Sequence, residues 1–87
     1  MRIAGVRLGA PLARLLSQIL RTEGFPATAD KIAEAIERQI TIEAPLTLAD
    51  HEAILEALRR DCPPTLNRLR QRLDEEQRYV RRVTGGQ

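Results

Sequence analysis

Disulfide stapling is the first thing this sequence excludes, because Cys62 is its only cysteine. A lone thiol fits a reducing compartment, and the expected location is cytoplasmic. Tryptophan is absent, and Phe25 and Tyr79 are the only aromatic side chains. The core must then come from Leu, Ile and Ala, which is thin for a chain of 87 residues. Ordering entropy offsets most of what such burial contributes. Self-association is the expected remedy, since a second copy covers surface that one small chain leaves open. No apolar run approaches the ~20 residues that span a bilayer. Arg7 and Arg14 interrupt the apolar opening and spoil a secretory leader. An acid-free, Arg-bearing opening also describes a mitochondrial transit segment, but the stripe Leu12, Leu15, Leu16, Ile19 and Leu20 favours a first core helix.

Groups able to do chemistry are equally sparse. His51 is the only histidine, and a metal site needs three or four convergent ligands. A general base needs a nucleophile and an orienting partner, which no spacing here supplies. The five glycines are isolated or terminal, so no phosphate-cradling loop is encoded. Glu34/Glu37 and Asp74/Glu75 read as solvated helix faces, Cys62 as an inert turn thiol, and His51 as a surface or packing residue. No catalytic residue, metal or cofactor is expected, and the chain is not read as an enzyme.

What the sequence does contain is helical periodicity with punctuation. Pro11 suits the first position of a helix whose end is marked by Gly24 and Pro26. Thr28 is the expected cap of a second helix with a narrow face of Ala29, Ile32, Ala33 and Ile36. From Ile40 to Leu48 every second residue is apolar, which predicts an extended segment or minor strand limited by Pro45. The other candidate strand is RIAGVRLG near the start; a connector laid along the helices is favoured over pairing of the two. Thr47 and Asp50 form a capping-box pair opening a third helix that buries Ile54, Leu55 and Leu58. Asp61-Cys62-Pro63-Pro64 interrupts. A fourth helix follows, with Leu66, Leu69, Leu73, Val80 and Val83 as its seam, broken at Glu76 and Gln77.

Charge is segregated along the chain. Residues 1–22 hold four Arg and no acid; residues 23–58 hold eight acids against Lys31 and Arg38; residues 59–87 hold eight Arg against four acids. The basic ends can pack on the acidic middle, within one chain or in a partner copy. The basic last helix raises nucleic-acid binding as an alternative. Against that, Asp74 is placed to take up Arg78, Glu75 and Glu76 are within reach of Arg72, and no aromatics interleave for base stacking. SQILRTEGFPATADKIAEAI also has helix–turn–helix rhythm, yet its second helix is acidic and would repel phosphate.

Two resemblances are visible. The ending Gly85-Gly86-Gln87 resembles that of the prokaryotic ubiquitin-like modifiers, whose terminal glutamine is deamidated and joined to a substrate lysine. The resemblance implies a conjugating role for Gln87, but it covers three residues, and the capped helices depart from that largely disordered family. A loose tail after a helix is the favoured reading. The layout LxxLLxxxLRxEGF…TADKI…LTLADHEAILEAL…CPPTLNRLRQRL, over residues 12–73, resembles small helical bacterial proteins of unassigned function and implies no activity.

The expected structure is one all-α domain over residues 1–87: four helices, an extended segment between the second and third, and residues 1–9 and 84–87 as flexible or extended ends. The expected function is non-enzymatic, a protein-interaction or regulatory module that forms homodimers and uses no membrane. Arg78, Tyr79, Arg81 and Arg82 are its expected contact residues, since Tyr and Arg dominate interface energetics.

Overall fold

The computed structural model describes the chain from Met1 to Gly85, with side chains described as far as Val80. Four α-helices dominate the described residues: α1 (Ala10–Thr22), α2 (Pro26–Glu37), α3 (Leu48–Arg60) and α4 (Asn67–Gly85). They are preceded by two short strands, β1 (Arg2–Ile3) and β2 (Val6–Arg7), and α4 is entered through a 3₁₀ turn at Pro64–Leu66. The domain is all-α, as the periodicity predicts, but its minor sheet is the N-terminal hairpin and not the segment between α2 and α3. Its radius of gyration is 12.5 Å, close to the ~12 Å of a single globular unit of this length.

The opening nine residues are extended, but they are anchored. β1 and β2 pair antiparallel with Arg2 opposite Arg7 and Ile3 opposite Val6. The turn between them has Ala4 at φ 51° and Gly5 at φ 78°, and a two-residue hairpin of type I′ needs positive φ at both central positions. Ile3 and Leu8 then enter the core. The segment after α2 does reach β1, through one parallel bridge of Glu43 to Arg2. The Arg2 amide donates to Ile42 O (3.1 Å) and the Ala44 amide to Arg2 O (2.7 Å). The alternation over 40–48 does not translate into burial throughout: Ala44 is buried, whereas Ile42 and Leu48 stay exposed.

α1 begins after Gly9 with Pro11 in its first turn and ends before Gly24, whose φ is +94°. That left-handed glycine turns the chain so that Pro26 can start α2 directly, with Phe25 as an N-cap that makes no side-chain bond. Thr28 is therefore not the cap expected of it; it lies inside the first turn and is buried. The buried face of α2 runs through Thr28, Ala29, Ile32 and Ala35, with Ala35 in the place expected of Ala33. The Ser17 hydroxyl of α1 donates to Ala29 O across the α1–α2 contact (3.0 Å).

α3 carries the predicted capping box: Thr47 Oγ1 accepts from the Asp50 amide (3.2 Å) and the Thr47 amide donates to Asp50 Oδ2 (2.9 Å). Ile54, Leu55 and Leu58 are buried as expected, and Leu66, Leu69 and Leu73 meet them from the 3₁₀ turn and α4. Thr84 and Gly85 extend α4 rather than leaving it as part of a loose end. None of the helices, over the described residues, is long and apolar enough to cross a membrane.

Candidate functional site

α4 divides into two halves. Its first two turns bury Leu69 and Leu73, whereas Tyr79 in the second half is 69% exposed. Between them sits Gln77, nine-tenths buried, whose Nε2 has no hydrogen-bond partner. The expected break in the seam at Gln77 is thus a polar side chain turned inward, where leaving a donor unsatisfied costs about 1–3 kcal/mol. Glu76 is occupied: its Oε1 lies 2.7 Å from Nδ1 of His51, which is itself largely buried. That pair ties the second half of α4 to the start of α3 and gives His51 the packing role expected of it.

Of the four expected contact residues, Arg78 and Tyr79 are exposed neighbours on α4. Arg78 donates to Asp74 Oδ2 (2.7 Å), and Arg59 from α3 donates to Asp74 Oδ1 (3.1 Å). Those two hydrogen bonds, Arg59's first, hold the Asp74 carboxyl below its ordinary value. The Arg81 and Arg82 side chains lie outside the described residues, as do Gly86 and Gln87.

Much of the remaining charge is consumed locally. Arg21 pairs with Asp30, Arg38 with Glu34 (2.8 Å), Arg60 with Glu56 (3.1 Å) and Arg72 with Glu75 (3.5 Å). Arg70 donates to Asn67 Oδ1 (2.9 Å). Packing the basic ends against the acidic middle is thus carried out partly within one chain, through Arg21–Asp30 and Arg60–Glu23. Arg2, Arg7, Arg14 and Arg68 make no ion pair among the described residues.

The densest polar cluster is structural and was only half legible in the sequence. Asp50 is buried at the start of α3, and besides the Thr47 contacts it accepts from Thr28 Oγ1 (2.8 Å) and Lys31 Nζ (2.7 Å). Burial alone would push its carboxyl up. The Lys31 ammonium, the Thr47 amide and the two threonine hydroxyls outweigh that and hold it far below the usual carboxylate range. Every member is already satisfied, so the cluster clamps α2 to α3. No group of three or more His, Cys, Asp or Glu side chains able to hold a metal ion occurs among the described residues.

The fold defines a small all-α domain with a minor hairpin. No family model, curated protein or solved structure matches the chain.

Proposed function

We propose that this chain is a non-enzymatic recognition module that binds a protein partner, in the first instance a second copy of itself, through the second half of α4. The observation that carries the reading is Tyr79: a large amphipathic side chain left 69% exposed beside the arginine Arg78. Interfaces draw most of their energy from a few such anchors once a partner desolvates them; Arg78, held by Asp74, is the anchor's neighbour and not a free charge. The helix supports the role mechanically. Its first half is fixed by Leu69 and Leu73, and the His51–Glu76 contact holds the next turn. Tyr79 is therefore presented on a rigid element, which lowers the ordering entropy lost on binding. Arg81 and Arg82, one turn on, complete the expected contact set.

The alternative, nucleic-acid binding by the basic last helix, draws less support. Of the described arginines on α4, Arg72 and Arg78 pair with Glu75 and Asp74 and Arg70 bonds Asn67, which leaves Arg68 alone without such a contact. Phosphate neutralisation needs cations that are free to exchange their counterions.

Sedimentation velocity at several protein concentrations tests the proposal. The expected result is a dimer whose population falls when salt is raised, as screening shortens to about 8 Å at physiological strength. Tyr79→Ala should raise the dissociation constant by roughly tenfold or more, the scale of an interface anchor. A salt-insensitive monomer at every concentration removes the self-association.

A further inference from the structure

Three of the arginines that the ion-pair network leaves out meet at one place. Arg2 and Arg7 are direct cross-strand partners on the hairpin, so two like charges stand opposite each other, an arrangement that costs stability. Arg68, in the first turn of α4, joins them around a cleft of about 410 Å³ that is also lined by Val6, Leu12 and Thr65. Glu43, bridged to Arg2 through the backbone, has its carboxylate directed at the Gly5 amide, with both oxygens 3.4 Å away. Arg72, lining the adjoining cleft, is held by Ala4 O (3.3 Å) and Glu75. The three arginines therefore line one opening whose own lining holds no carboxylate, although Arg68 also borders the adjoining cleft beside Glu75.

We propose that this cleft binds a phosphorylated small molecule, its phosphate held by Arg2, Arg7 and Arg68 with the Thr65 hydroxyl as a further donor. Three lines converge on it. Guanidinium groups match phosphate oxygens with forked, charge-assisted hydrogen bonds, and three of them from β1, β2 and α4 surround an anion rather than merely attract it. The first turn of α4 carries no acid, and the positive end of its dipole lies on the same side as Arg68. The space exceeds what a single phosphate fills and falls within the range of small-ligand pockets; Val6 and Leu12 supply an apolar wall for the organic part. The site is independent of Tyr79 and of self-association.

Inorganic pyrophosphate, ATP and a short single-stranded oligonucleotide serve as probes, titrated at constant ionic strength while backbone amide NMR shifts are followed. The expected result is saturable shifts at Arg7, Thr65 and Arg68 with pyrophosphate and tighter binding of ATP. Arg68→Gln should weaken binding about tenfold, as loss of a charge-assisted donor requires. Arg70→Gln, whose guanidinium is held by Asn67, should leave binding within about twofold of the wild type, since an exposed charge elsewhere acts only through screened attraction. Glu43→Gln should tighten binding, because it removes a negative charge from the segment bridged to Arg2. Helicity by circular dichroism confirms that each variant is folded. The absence of saturable shifts with pyrophosphate and ATP overturns the proposal. So does an equal loss in Arg68→Gln and Arg70→Gln, which would mark diffuse attraction. Shifts with the oligonucleotide alone also overturn it, assigning the surface to a polymer backbone.

Discussion

Charge is handled in opposite ways at Asp50 and at the Arg2–Arg7–Arg68 cleft. Asp50 is a buried carboxylate surrounded by donors from α2 and from the capping turn of α3, every one within 3.1 Å. At the cleft, three exposed cations from the hairpin and α4 share one opening whose lining holds no carboxylate. Where charge is satisfied internally it holds elements together and has nothing left to offer a ligand. Where it is unspent it detracts from the stability of the free domain and is available for binding.

The largest effect is expected at the satisfied end. Asp50→Ala removes the acceptor for Thr28 and Lys31 and half the capping box. About 3 kcal/mol should be lost, the low end for breaking a buried pair because Lys31 is partly exposed. Urea unfolding measures it; a loss under 1 kcal/mol would mean that the clamp is ornamental. The same carboxyl contributes to the acid limb of stability. Its folded-state pKa is depressed below the ordinary 3.8, so its contribution is complete above the unfolded-state value and is lost as pH falls below it. Melting temperature should drop on acidification below about pH 4 in the wild type, and less steeply in Asp50→Asn. Thr47→Ala comes next at about 1 kcal/mol, the usual value of an N-cap.

At the unspent end the sign reverses. Arg7→Gln relieves the cross-strand repulsion with Arg2 and should stabilise the domain by about 0.5 kcal/mol, the scale of a cross-strand pair; chemical denaturation at low salt detects it. A loss instead would show that Arg7 has a structural partner. Smallest of all is Arg38→Ala. It removes an exposed i,i+4 pair with Glu34 and should shift stability by no more than about 0.5 kcal/mol.

Local signals were legible in the sequence, and long-range ones were not. Pro11, Gly24 and the Thr47–Asp50 box mark helix ends through chemistry that acts over a few residues, and the structure places them accordingly. The hairpin shows in the sequence only as a single strand candidate, because its strands are two residues each and its turn puts Ala4, a residue without turn preference, at positive φ. Thr28 was misplaced for a similar reason: Gly24 and Pro26 already start the helix, and its real partner, Asp50, is 22 residues away. The Arg78–Asp74 and Arg72–Glu75 contacts follow from helical spacing. His51–Glu76, the inward turn of Gln77 and the meeting of Arg2, Arg7 and Arg68 depend on how distant segments pack, which no periodicity encodes. For the candidate interaction surface, the sequence supplied the residue types, and the exposure of Tyr79 came only with the packing of α4.

Tyr79 is the sole tyrosine in a chain without tryptophan, so its fluorescence reports on that one side chain. Acrylamide quenching of this emission, measured as protein concentration is raised, tests the recognition surface most directly. The account predicts that quenching weakens with concentration, in step with association, as a second copy covers the ring. Quenching that stays at its dilute value while sedimentation shows assembly would contradict it, since the copies would then be meeting somewhere else.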